Sequence, residues 1–467
     1  MGTDEKFSLA IQAYEAARYG EAERLAAEIL REDSSSFRAL NMLGMCLHER
    51  GESAKGIELL QRAIALNPNY VPALNNLAAI QNETGDHAEA IGTIDKVLAL
   101  VPHAAEFHLS KAAFLFATGD FARAKAAAEK SLALDPRLAG AHSMLGLIFG
   151  ALREFAPALA CHERALQLSP SDPRLWLEKA RTLSEMGRAD ALNACDRAAA
   201  LGANPAEVWA ARGYAHTQSN AVIQALSDYR KALEADPSSS EALSGYGKML
   251  NLAERYEEAL AQFDKVLAMR PNHAEIWLRR GHALRNLKRY SEASRAFSHA
   301  FKLQPQLFCA GGEKLLSALH DGHWADWTAN RQRVVEMVRH GIPAASPFVF
   351  LNFDGLAADQ FQCSRSYAKQ AYPPREPVWR GERYPHDKIR IAYVSADLRE
   401  HVIAQITAGI FELHDRSGFE VTGLHFGEQD ESAMRTRLKT AFDRFIDVRN
   451  KSDLEIARFI RELEIDI

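Results

Sequence analysis

Phe37–Tyr70, FRALNMLGMCLHERGESAKGIELLQRAIALNPNY, decides the fold, because its grammar returns every 34 residues. The units in register with it are Thr3–Ser36, Val71–Ala104, Ala105–Leu138, Ala139–Asp172, Pro173–Pro205, Ala206–Ser239, Ser240–His273 and Ala274–Leu307. The sixth unit is one residue short, near Gly187. The eighth column reads Ala10, Gly44, Ala78, Ala112, Gly146, Ala180, Gly213, Gly247, Gly281. The twentieth reads Ala22, Gly56, Ala90, Ala124, Ala158, Ala191, Ala225, Ala259, Ala293. Only Gly and Ala stand in these columns, so two helices are expected to cross there, too close for anything larger than a methyl. The thirty-second column carries Pro68, Pro102, Pro136, Pro170, Pro237, Pro271 and Pro305, which end the second helix of each unit. Large apolar residues fill the fourth column (Trp176, Trp209, Trp277) and the twenty-fourth (Leu60, Tyr229, Phe263, Phe297).

These columns resemble the tetratricopeptide repeat, and they predict nine such units over residues 3–307. One unit cannot bury its apolar face alone, so stacking must supply the core. The resemblance implies a right-handed superhelix whose groove holds peptides or partner proteins. The fourth-column Trp residues read as packing groups, and no charge stripe names a peptide class.

The net charge is −5, with no basic field for nucleic acid or an anionic membrane. The N-terminus, MGTDEKFSLA, lacks the pattern of a signal peptide, and no apolar run is long enough to span a bilayer. The five cysteines are scattered and read as reduced thiols, with Cys46, Cys161 and Cys195 at packing positions. The expected location is the cytoplasm.

Past Pro305 the columns fail, and residues 308–383 read as a helical connector ending in a Pro-rich linker. Helices are expected at Ala310–His323, Trp324–His340 and Ala357–Ala371. His320 and His323 have a metal-like spacing, but without further ligands they read as surface or packing residues. No metal is expected.

Residues 384–467 change grammar. Strands are expected at Lys388–Ser395, Phe419–Phe426 and Phe445–Val448, with helices between them and Glu464–Ile467 beginning a fourth strand. Alternation of this kind predicts a parallel, Rossmann-like sheet whose ligands bind beyond the carboxyl ends of the strands. The loop after the first strand, Ala396–His401, carries Asp397 and His401 there. No G-x-G-x-x-G, P-loop or Asp-x-Asp accompanies it.

Lys388–Val394 with Ser395-Ala-Asp-Leu-Arg-Glu-His401, Phe411–Ser417, Phe419–Val421 and Phe442–Val448 resembles the bacterial O-linked N-acetylglucosamine transferase family, as does the connector Pro373–Tyr384. That family sets tetratricopeptide repeats before a two-lobed catalytic region of the glycosyltransferase-B type. The resemblance implies inverting, metal-independent transfer of N-acetylglucosamine from its uridine diphosphate conjugate to Ser or Thr of proteins delivered by the repeats. His401 matches the family's active-site histidine, and a helix start there favours the neutral ring. Two features depart from the family. Val402 stands where Pro usually follows the histidine. Of the groove's asparagine ladder only Asn76 is present, with Met42, Ser110, Met144, Glu178, Ala211 and Arg279 at the equivalent positions. Because Ile467 falls within a strand, the chain is expected to be a fragment lacking the donor-binding lobe and inactive by itself. The other reading is a non-catalytic repeat scaffold carrying a vestigial transferase start.

Overall fold

The computed structural model describes residues 2–353, 355–372 and 377–467. The Pro373–Glu376 part of the connector lies outside the described residues. Eighteen helices, from Thr3–Glu15 and Tyr19–Glu32 to Ala274–Asn286 and Tyr290–Leu303, follow one another in the register of the columns, and within each compact unit they pack as antiparallel pairs. Each pair turns through one left-handed residue in the fifteenth column. Glycine supplies it at Gly51, Gly85, Gly119 and Gly187; Ala17, Arg153, Asn220, Glu254 and Lys288 adopt it despite a Cβ. The second helices stop before their prolines, because the residue preceding proline is forced out of helical conformation. Asn67 (φ −138°, ψ 92°) and Asp236 (φ −141°, ψ 97°) show this. The sixth repeat has no such proline; its second helix is only Ala191–Ala200, and Gly202 at φ 82° makes the exit turn.

The chain divides into two compact units, Met1–Met249 and Leu250–Ile467, separated within the helix Ser240–Leu252. In the first unit, each second helix packs on the first helix of the next repeat, and successive first helices also touch. The eighth and twenty-fourth columns compensate each other in volume. Gly146 leaves room for the buried His162 ring, since a Cβ there would sit 2.4 Å from its Cε1. Gly213 does the same for Tyr229, with 2.9 Å to the ring. Where the eighth column is Ala, its partner is smaller: Ala112 shares a core with Ala128, and Ala78 with Ile94. A seventh-column cation reaches a twenty-fifth-column carboxylate of the preceding repeat at Lys111–Asp95 (2.7 Å), Lys179–Glu163 (3.1 Å) and Arg212–Asp196. Exposed pairs add little energy each, so the repetition fixes repeat register more than it stabilises. The fourth-column indoles are half-buried rather than fully enclosed. Trp176 donates its N–H to the Pro170 carbonyl at 3.1 Å, and Lys231 lies 4.1 Å over the Trp209 ring.

In the second unit, Gly281 faces Phe297 in the same way, with 2.5 Å from a Cβ to the ring. Beyond the ninth repeat the helices Ala310–Asp321, Trp327–Arg339, Pro347–Phe350 and Ala357–Ala371 enclose a core of Leu315, Val334, Val338, Phe350, Phe353 and Cys363. Arg339 forks onto Asp359 at 2.8 and 2.9 Å. His320 stacks on Tyr290 with centroids 4.8 Å apart.

Three strands follow: β1 (Ile389–Ser395), β2 (Phe419–His425) and β3 (Arg444–Asp447), parallel and in that order. Ile389 pairs with Phe419 and Thr422 with Arg444. The helices Val402–Glu412 and Ala433–Ala441 cover one face through Ala404, Ala408, Phe411 and Leu438. The helix Asp453–Glu462 lies over the other, with Ile456, Phe459 and Ile460 against Leu424 and Val448. Glu464 turns left-handed at φ 51°, and the chain then begins to pair along the free edge of β1, where the start of a fourth strand is expected. Asp466 N–H donates to the Arg390 carbonyl and Ala392 N–H to the Ile467 carbonyl, each at 2.9 Å. The connector's last turn is strapped to the helix Asp453–Glu462 by the Arg461–Glu382 ion pair, which holds the Glu382 carboxyl down to about 2.

Candidate functional site

A cluster of polar groups lies at the carboxyl ends of β1 and β2. β1 ends at Ser395, whose hydroxyl accepts the Asp397 N–H at 3.0 Å and starts a tight loop. That loop leans on the residue after β2, Gly427, where a Cβ would lie 2.0 Å from the Ala396 carbonyl oxygen. Only glycine admits this approach. Asp430 then ties the two loops together by accepting the Glu400 N–H at 2.6 Å and the Ser432 hydroxyl at 2.9 Å. Burial would raise the Asp430 carboxyl, but these bonds and the nearby Arg435 and Arg399 hold it below its usual range.

His401 caps the helix Val402–Glu412 in an extended conformation, φ −154° and ψ 152°. Its Nδ1 accepts the Ile403 N–H at 3.3 Å, so the neutral ring carries its proton on Nε2 in this arrangement. Asp397 Oδ1 is 3.7 Å from the same nitrogen, beyond a hydrogen bond. The side chains of both are partly open to solvent, 39% for His401 and 27% for Asp397. The two residues marked in the sequence therefore stand side by side at the end of β1.

Three neighbours escaped the sequence reading. His425, at the end of β2, is fully buried, and burial pushes its ring pKa down. Its Nε2 bonds the Glu428 carbonyl at 3.1 Å. Arg435 is buried with its guanidinium 5.3 Å over the Phe445 ring. His425 Nδ1, Arg435 Nη1 and Asp430 Oδ1 have no hydrogen-bond partner among the described residues. Gly427, directly after a strand, was the available signal for a close loop approach; nothing local marks His425 or Arg435. No group of three or more His, Cys, Asp or Glu suited to a metal occurs among the described residues. The five thiols are unpaired, and burial pushes Cys46, Cys195 and Cys363 up to about 11. No described helix is long and apolar enough to cross a membrane.

The repeats offer a second surface. Side-chain bonds between first helices recur at fixed columns: Asn76 to Asn41 (3.0 Å), Ser143 to Glu178, and His48 to Glu83 (2.9 Å). Arg181 of the sixth repeat reaches Glu241 of the eighth at 2.6 Å, over the intervening seventh. Such a bridge can close only on the inside of a curve, so the first helices line the concave side of the first unit.

Tetratricopeptide-repeat models match residues 7–71 and 222–274, 47–114 and 250–308, and 105–138. The chain is 25% identical over 162 residues to an Arabidopsis thaliana protein described as a probable UDP-N-acetylglucosamine–peptide N-acetylglucosaminyltransferase, SEC. The match takes in 31% of this chain and 16% of the plant protein, so it spans under a fifth of that relative's length. Among solved structures, a tetratricopeptide repeat protein of Parabacteroides merdae shares 15% identity at a TM-score of 0.47, over 53% of this chain and 98% of its own. An O-GlcNAc transferase variant of Thermobaculum terrenum shares 21% identity at a TM-score of 0.33, over 56% of this chain and 45% of its own. Helix pairs, columns and repeat models agree: the chain is a mostly helical tetratricopeptide superhelix with a small parallel three-stranded sheet near its carboxyl end, weakly similar to an O-GlcNAc transferase.

Proposed function

We propose that the chain is a protein-holding scaffold fused to the opening of a glycosyltransferase lobe of the O-linked N-acetylglucosamine transferase type, acting in the cytoplasm. The observation that carries this is the placement of His401 and Asp397. They stand at the first strand-to-helix loop of a parallel sheet that follows a repeat array, in a chain with sequence similarity to a plant transferase. Ligands of open parallel sheets bind at such loops. The reaction would join a Ser or Thr oxygen of the held protein to the sugar's anomeric carbon and release uridine diphosphate, without a metal.

His401 has one chemical condition to meet. With Nδ1 accepting the Ile403 N–H, Nε2 is a donor and can orient an acceptor or a sugar oxygen. To take the hydroxyl proton on Nε2, the ring must hold its own proton on Nδ1, and Asp397 is the carboxylate placed to accept that N–H once it closes from 3.7 Å. The non-catalytic scaffold is the second reading. It is favoured by how little of the plant relative the similarity covers, 16%.

The test is transfer from UDP-N-acetylglucosamine to protein by the full-length protein. His401→Ala should lower kcat/KM by at least ~10²-fold, the usual weight of a lost acid–base group, while stability falls by no more than the roughly 0.5–2 kcal/mol that a lost helix cap costs. Transfer near the wild-type rate, or unfolding of the variant, rejects the catalytic role. No transfer by the wild-type protein supports the scaffold reading.

A further inference from the structure

The concave wall of the first unit changes chemistry along its length. The columns that exchange side-chain bonds between first helices are the second, fifth, sixth, ninth, twelfth and thirteenth. In the second and third repeats they hold the amides Asn41 and Asn76, bonded to each other at 3.0 Å. In the fourth and fifth the same columns hold Leu109, Phe116, Met144 and Leu147, all half-buried, with the exposed Glu106 and the serines Ser110 and Ser143 beside them. The helix behind the last two, AGAHSMLGLIFGA (Ala139–Ala151), bears a single polar pair, His142 and Ser143, among apolar and small residues. A solvent-facing helix would alternate, so an apolar inner face invites a covering group.

In the sixth repeat the wall turns acidic. Glu178 accepts the Ser143 hydroxyl, and Glu185 accepts the Tyr214 hydroxyl and, at 3.2 Å, the Gln218 amide. All three donors are neutral, so neither carboxylate is cancelled by them. The nearby cations are committed elsewhere, Arg174 to Asp172 at 3.2 Å and Arg181 to Glu241 at 2.6 Å. Burial raises the Glu178 carboxyl against the lowering pull of the Ser143 bond, Arg174 and Arg181, and the His162 ring 3.6 Å away, pushed down to about 4 by burial, brings no charge near neutral pH.

We infer that this wall takes a peptide segment of a partner protein with apolar side chains over the fourth and fifth repeats and a Lys or Arg over the sixth. The inference rests on the array holding proteins and specifies which kind. Helix spacings of roughly 8–10 Å and a chain rise of roughly 3.3–3.6 Å per residue set the segment at about ten residues if extended. Apolar anchors give affinity, and the carboxylates give direction and select against acidic segments.

The experiment is fluorescence anisotropy of the full chain with three labelled synthetic peptides of about that length. One has a Leu/Met centre with Lys-Arg ends, one the same centre with Glu-Asp ends, and one a Ser centre with Lys-Arg ends. The first should bind at least tenfold more tightly than either other. Leu147→Asp should abolish its binding. Glu185→Lys, which adds no core clash, should weaken the Lys-Arg peptide and strengthen the Glu-Asp one, a reversal that misfolding cannot produce. If the acidic or Ser-centred peptide binds as well as the first, the inferred chemistry is wrong while the array still holds peptides. If none of the three binds, this inference is also overturned. The holding function itself then falls only if transfer to proteins survives removal of the repeats.

Discussion

Gly281→Ala should destabilise the ninth repeat, although the same change in an exposed helix would stabilise it. Replacing a mid-helix Gly by Ala ordinarily gains about 1 kcal/mol. Here the new Cβ would lie 2.5 Å from Phe297 Cε1 and 2.6 Å from Cδ1, and Phe297 is fully enclosed. Overpacking of this kind costs roughly 1–3 kcal/mol, so the net change should be a loss of up to about 2 kcal/mol. The protein already contains the cure, because Ala78 shares its core with Ile94 in the third repeat. In a Phe297→Ile background, Gly281→Ala should therefore turn stabilising, by about the helix-propensity gain of 1 kcal/mol. Urea midpoints of the four members of this double-mutant cycle measure it. If Gly281→Ala stabilises the wild-type protein, or its effect is the same in both backgrounds, the volume compensation between the columns is wrong.

Acid should weaken the repeats. Burial pushes His162 down to about 4, and burial, with Arg285 and Arg279 adding, pushes His282 down to about 3. Both rings bind a proton more readily unfolded, so their stabilisation is complete above pH 6.5 and drains away as pH falls through 4 and 3. Each accounts for a few kcal/mol at most; urea midpoints against pH should show the fall, and His162→Gln should flatten it. Arg153 sits at φ 63° where other repeats have glycine, so Arg153→Gly should stabilise by roughly 0.5–1 kcal/mol in the same melts. Residues 384–467 expressed alone should aggregate, because the helix Val402–Glu412 exposes Val402, Ile406 and Ile410, with Leu413 just beyond. A soluble, cooperatively melting piece in light scattering would count against that reading.

The repeats were legible because their signal is written nine times, and each column has one physical cause. Proline marks the helix ends, and paired small residues mark the crossings. What the columns did not show was the trade between them: a Gly in the eighth position reads as mere smallness until the ring of His162 or Phe297 is seen filling the space. The strands of the sheet were legible from β-branched runs, the start of the fourth included. Glu464-Ile-Asp-Ile467 has strand composition, and after its left-handed first residue it bonds to Arg390 and Ala392 of β1. At the candidate site, Asp397 and His401 were visible as polar residues in the loop after a strand. Asp430, His425 and Arg435 were not, because they come from other strands and helices and only the sheet's parallel register brings them to the same end.

The proposed function joins a protein-holding array to transfer chemistry, and one comparison tests that joint. Full-length protein and a form lacking residues 3–307 are assayed side by side for transfer of labelled N-acetylglucosamine to protein and for slow hydrolysis of the uridine diphosphate donor. The account predicts that loss of the repeats lowers protein transfer at least tenfold and leaves donor hydrolysis unchanged. Protein transfer that persists without the repeats would contradict it.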